Sequence, residues 1–322
     1  MSALPPPDRP VFEPADRIPS LAALRTAVRS KDWDAITSGF AALPDEDDRA
    51  LACRTIGETP GTEFFLRETV KRLPRDPLAR TLLADRLIRT GWGIRSGHRT
   101  EQVSEQQFSE FHAYLRRAEL LLIDICAEHP EHALAWYLRA MTSRGLQLGL
   151  GETRRRYDRL AEHHPHHFSG QSQLLQQICP KWGGGWEAVH GFAQECLERA
   201  PAGSLSGALT AVAQMEQYLE VSEKEGTRAA ETYLRAPDNH ARLCDAAARS
   251  VLHPAFRADA HHAVDAHSAF AAAHSAAGRA ADAAPHFRAL GDHASVFPFG
   301  YLGNGDHESA FVRHRKTALA KG

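Results

Sequence analysis

The stretch "PKWGGGWEAVHGF", residues 180–192, sets an ammonium, two indoles, three consecutive glycines, a carboxylate and an imidazole within thirteen positions. Glu187 and His190 form an E-x-x-H pair one helical turn apart, the pair that carboxylate-bridged di-iron proteins place on two helices of a bundle. Such a centre needs a second copy and further carboxylates, and the chain has no second E-x-x-H. The pair therefore reads as a surface glutamate and a half-buried histidine. Upstream, Gly183, Gly184 and Gly185 free the backbone for positive φ and for close approach of a ligand or another segment. Their amides could face an anion at a helix N-terminus, with Lys181 as counter-charge. Neither G-x-x-x-x-G-K-[ST] nor G-x-G-x-x-G is present, so a nucleotide site is not indicated. The preferred expectation is a tight corner between two helices, with Trp182 plugging the core between them.

A second constellation lies in "GWGIRSGHR". Trp92 and Arg95 are three residues apart, close enough for the guanidinium to stack on the indole. Arg95 then either fixes a helix end or receives a carboxylate or phosphate in a groove. Nineteen histidines include two clusters, "EHHPHHF" (His163, His164, His166, His167) and "DAHHAVDAH" (His261, His262, His267). Neither contains H-E-x-x-H. Pro165 splays the first cluster around a helix end, and in the second the helical spacings of Asp259 with His262 and His261 with Asp265 suggest ion pairs. Five cysteines are scattered, odd in number and without C-x-x-C spacing, which reads as buried thiols in a reducing compartment. No bound metal and no cofactor are expected. No serine or cysteine carries a nucleophile motif.

The elements that hold these residues read as helices. On a helical wheel Trp186, Val189, Phe192, Ala193, Cys196, Leu197 and Ala200 share one arc, with Glu187, Gln194, Glu195 and Glu198 opposite. Alanine is abundant, aromatics are 8%, and no convincing alternating strand occurs, so the fold class is all-α. Pro130, Pro165, Pro201 and Pro237 end helix-patterned segments at intervals of 35, 36 and 36 residues. That period marks stacked helical hairpins, in which each pair buries its apolar face against its neighbours. The expectation is an α-solenoid of roughly six to nine hairpins. Hairpins are read over 20–44, with Ser20 as cap, over 133–165, and over 268–292, where Pro285 is tolerable only in a first turn. In "FHAYLRRAELLLIDICAEHP" the apolar stripe is Tyr114, Ala118, Leu121, Leu122 and Ile125.

The segments "GWGIRSG" (91–97), "CAEHPEHALAW" (126–136), the hairpin ending at Pro165 and "CPKWGGGWEAVHGFA" (179–193) resemble, in order and spacing, the bacterial tetratricopeptide-like proteins called domain of unknown function 4034. That family carries a P-[KR]-W-G-G element, here Pro180–Gly184. The resemblance spans roughly residues 30–230 and implies a fold rather than a reaction.

With 322 residues, 43% of them hydrophobic, the chain can bury a substantial core. A formal charge of −2 offers no general attraction to phosphate backbones, so nucleic acid is not an expected partner. "MSALPPPDRPVFEPADRIPS" lacks a secretory pattern, and "AELLLIDICA" is too short and acidic to cross a bilayer. These features predict a cytoplasmic protein without membrane contact, with a flexible proline-rich arm over 1–19 and one helical-repeat domain over 20–322. A protein or peptide in a concave groove is the expected partner; the alternative is an enzyme or small-molecule binder with a pocket near the PKWGGGW segment, with or without metal assistance. The ligand-binding candidates are Trp92, Arg95, Lys181, Trp182, Trp186, Glu187 and His190. The segment 295–309 could be a lid, a groove filler or an interface.

Overall fold

Alanine and leucine at helical spacing give helices throughout. The computed structural model describes residues 9–95, 103–303 and 305–322. Among them are 18 α-helices and no strand; one isolated bridge pairs Val11 with His293. The chain divides into two compact units, one of residues 18–178 and one combining residues 179–322 with the N-terminal segment up to residue 17. Residues 1–8 of the expected arm and 96–102 of the GWGIRSG region lie outside the described residues. From Arg9 onward the N-terminal segment is engaged: Val11 exchanges backbone hydrogen bonds with Asp292 and Ala294, and α1 (Pro14–Arg17) follows.

The unit 18–178 holds α2 (Pro19–Ser30), α3 (Trp33–Ala41), α4 (Glu46–Glu58), α5 (Glu63–Arg72), α6 (Pro77–Arg95), α7 (Glu105–Glu128), α8 (Ala133–Gly145), α9 (Leu150–His163) and α10 (Phe168–Ile178). Contacts run along the alternate helices, α2 to α4 to α6 to α8 to α10, and between sequence neighbours such as α6 with α7 and α8 with α9. Helix α7 begins with a full capping box, Ser104 and Gln107 satisfying each other's amides. Its buried stripe is Phe111, Leu115, Ala118, Leu122 and Ile125. Tyr114 and Leu121 sit at its edge, half-buried, because Leu115 takes the inward position. The Trp136 indole donates to the Pro130 carbonyl at 2.7 Å, tying α8 to the turn before it. A buried ion cluster joins three helices: Glu119 of α7 meets Arg139 of α8 at 2.9 Å and Arg156 of α9 at 3.0 Å.

The other unit holds α11 (Trp186–Arg199), α12 (Ala208–Glu225), α13 (Thr227–Arg235), α14 (Pro237–Arg249), α15 (Ala263–Ala276), α16 (Ala280–Leu290), α17 (Val296–Leu302) and α18 (His307–Lys321). Helix α12 packs on α11, α13, α14 and α15, and α15 packs on α16, α17 and α18. The segment 295–309 includes α17, whose Phe299 is wholly buried, so this part of it fills the core of its own unit.

Three of the four periodic prolines follow a helix end, at α7, α9 and α11, whereas Pro237 opens α14 at its first position, where no amide is needed. The N-terminal hairpin starts earlier than expected. Pro19 is the first helical residue of α2, Ile18 holds the cap position without a side-chain bond, and Ser20 lies inside the helix. Pro285 stands in the second turn of α16 rather than the first, since that helix begins at Ala280.

Candidate functional site

On α6, Arg86, Arg89, Trp92 and Arg95 recur every third residue and so form one ridge along the helix. The ridge borders an open cleft of about 620 Å³ lined by Glu58, Arg86, Arg89, Thr90, Trp92, Gly93 and Ile94. Two guanidiniums lie against the Trp92 indole: Arg95 at 5.6 Å and Arg144, from α8, at 5.7 Å. The Trp92 ring also meets Phe111 edge-on at 4.9 Å, which holds the indole in place.

The floor beside the cleft is electrostatically built. Asp85 is wholly buried and accepts from Arg89 Nε at 3.1 Å, while Glu58 lies 3.6 Å from Arg89. Burial pushes the Asp85 carboxyl up, opposed by Arg89. Burial also pulls the Arg89 guanidinium down, but Asp85, Tyr137 and Glu58 together outweigh it and hold the group above its ordinary value. Arg86 donates to the Gly57 carbonyl at 2.9 Å. Gly57 itself is required by crowding, because a Cβ there would collide with the Asp85 carboxylate. Arginine at 86 and 89 continues the spacing that singled out Trp92 and Arg95, and that spacing was the available signal.

Lys181, Trp182, Trp186, Glu187 and His190 belong to the other unit. Pro180–Trp182 is a single 3₁₀ turn closed by Gly183, whose φ of +91° needs glycine. The amides of Trp182 and Gly184 donate to the Cys179 carbonyl, and that of Gly183 donates to the Pro180 carbonyl. These three amides are thus spent inside the corner rather than turned to a ligand. Trp182 is half-buried, not the fully enclosed plug expected, and Trp186 is half-buried too. The Lys181 ammonium donates to Glu216 of α12 at 2.7 Å. His190 Nε2 lies 2.6 Å from Gln217 Oε1 and 3.3 Å from the Tyr233 hydroxyl, and burial lowers its pKa. Glu187 is exposed. The buried face of α11, from Val189 to Leu197, matches the helical wheel.

The first histidine cluster divides among protein partners. His164 Nε2 meets the Glu131 carbonyl at 3.1 Å, and His167 Nδ1 accepts from the Gly170 amide at 3.0 Å. Asp47 of α4 accepts from the amides of Phe168 and Ser169, capping α10. In the second cluster His262 pairs with Asp265 at 2.8 Å, and Asp259 lies beside Arg257 rather than His262. Residues 259–262 lie in turns ahead of α15, which starts at Ala263, so Asp259 and His262 do not share a helix. Deeper in that unit, His267, His274 and His286 are buried in mutual contact: His267 Nδ1 lies 3.1 Å from His286 Nδ1, and the His274 and His286 rings stack at 5.7 Å. Desolvation lowers the pKa of His267 to about 4.

Among the described residues, one group of side chains could hold a metal ion, and it includes neither Glu187 nor His190: His240, Cys244 and Asp282. The H-x-x-x-C spacing on α14 was readable, but its third member comes from α16. None of the five cysteines is in a disulfide; four are buried and Cys244 is half-buried. No described helix is long and apolar enough to cross a membrane. Compared with family models and with curated proteins, the chain finds no match.

Proposed function

We propose that the chain is a helical-repeat interaction module that binds a protein or peptide, and that the cleft beside Trp92 receives a carboxylate of that partner. The observation that carries this reading is the α6 ridge: Arg86, Arg89 and Trp92 line one cleft, the guanidiniums of Arg95 and Arg144 lie over the Trp92 indole, and Asp85 and Glu58 hold Arg89. Guanidiniums match carboxylates geometrically, and a held indole adds apolar contact area for the flanking chain.

The alternate-helix contacts from α2 to α10 support stacked hairpins of the tetratricopeptide kind, which present extended binding surfaces. The resemblance to the domain of unknown function 4034 proteins, with a bacterial cytoplasmic setting, goes with this reading. At the PKWGGGW corner, amides, Lys181 and His190 all engage protein groups, which favours a structural corner there over the pocket of an enzyme.

Selection of random-sequence peptides on the immobilised full-length chain tests the proposal. Enrichment in Asp and Glu, with binding that weakens as salt rises, is the expected result. Selected peptides with no acidic enrichment contradict it.

A further inference from the structure

Helices α14 and α16 bring a nitrogen, a sulfur and an oxygen to one spot. His240 and Cys244 are one turn apart on α14, and Asp282 lies in the first turn of α16. His240 Nε2 is 2.8 Å from Asp282 Oδ2 and 3.4 Å from Cys244 Sγ, and the three donor atoms all lie within 4.8 Å of one another. A tetrahedral zinc site, with bonds of about 2.0 Å to nitrogen or oxygen and about 2.3 Å to sulfur, sets its donors about 3.3 to 3.5 Å apart. The sulfur–nitrogen separation already has that value. The nitrogen–oxygen pair has to open by roughly half an ångström, which a half-exposed aspartate side chain can supply by rotation.

We infer that His240, Cys244 and Asp282 bind one divalent ion of the zinc class per chain, leaving a coordination position open to water. The donor set selects the metal. A thiolate and an imidazole suit zinc-class ions and not calcium or magnesium, which take oxygen ligands. Charge balances as well: two positive charges meet one thiolate and one carboxylate, so no net charge is left in a half-buried place. On binding, the Cys244 S–H bond breaks, its proton leaves to solvent, and a metal–sulfur bond forms. The Nε2 proton that His240 shares with Asp282 passes by way of solvent to Nδ1, so the ring binds as neutral imidazole through Nε2 and Asp282 binds as carboxylate.

The side chains of His240 and Asp282 are 25% and 39% exposed, so an ion and its water have a path in. The expectation of no bound metal rests on ligand motifs within single segments, whereas here the third ligand comes from another helix.

Nineteen histidines can bind metals adventitiously, so the test must read the sulfur. Untagged full-length protein, stripped with chelator, is titrated with cobalt(II) and then zinc(II). The expected result is one equivalent of cobalt with a near-ultraviolet thiolate charge-transfer band, displaced by zinc. Cys244→Ser abolishes the band, and Asp282→Asn weakens binding by more than about tenfold, both with wild-type circular dichroism. Should either variant misfold, alkylation of Cys244 with and without zinc gives the answer on the native chain, with zinc expected to protect the thiol. Cobalt uptake without the band, uptake that survives Cys244→Ser unchanged, or a thiol alkylated equally fast with zinc present overturns the inference.

Discussion

The Lys181 ammonium, itself 45% exposed, lies 2.7 Å from a Glu216 carboxylate whose side chain is only 4% exposed. The lysine therefore anchors the glycine corner to α12, and its removal takes a charged partner from a buried carboxylate. Lys181→Ala is expected to destabilise the chain by about 1–3 kcal/mol, well above the ~0.5 kcal/mol of an ordinary surface substitution. The double variant Lys181→Ala with Glu216→Leu should lose less than the sum of those two single changes. Denaturant unfolding of the four proteins checks this; additive losses would show that the contact carries no coupling.

Gly57→Ala probes the floor of the Trp92 cleft. A methyl group there collides with the Asp85 carboxylate, which is held by Arg89 and cannot retreat into solvent. The expected cost is roughly 1–3 kcal/mol from overpacking, read as a lowered midpoint in urea. A midpoint equal to that of the wild type would mean that Asp85 has room the packing does not suggest.

Acid should weaken the unit that carries His267. Desolvation brings this imidazole from the ordinary 6.5 to about 4 in the fold, so the unfolded chain takes up its proton first as pH falls. Its contribution is complete above about pH 6.5 and is lost as pH drops from there toward 4, on the order of 3 kcal/mol in all. His267→Leu should flatten that slope between pH 7 and pH 5, leaving the share of His286, whose pKa is also depressed by burial. An unchanged slope in the variant would remove His267 from the account.

Helical faces were legible where one residue type repeats with one period. The buried row Val189, Phe192, Ala193, Cys196 and Leu197 is visible in the chain because apolar residues return every 3.6 positions. Partnerships across helices were not legible. Nothing near Lys181 announces Glu216, and nothing near His240 and Cys244 announces Asp282, since packing rather than spacing joins them. Arg86 and Arg89 carry no signal of their own in the chain, because charged residues on a helix ordinarily face water; the buried Asp85, with the exposed Glu58, draws Arg89 inward. At the glycine corner, where the residue pattern favours a tight turn over an anion cradle, the 3₁₀ turn at Pro180 consumes the amides of Gly183 and Gly184.

The affinity of one labelled, glutamate-rich peptide from the selection, measured by fluorescence anisotropy, reports binding at the α6 ridge. The comparison is between the wild-type chain and the double variant Arg86→Gln with Arg95→Gln, with melting temperatures recorded beside each titration. The expected result is a dissociation constant raised at least about tenfold, equivalent to about 1.4 kcal/mol, and a melting temperature within a few degrees of the wild type. Unchanged affinity in the folded double variant would contradict it.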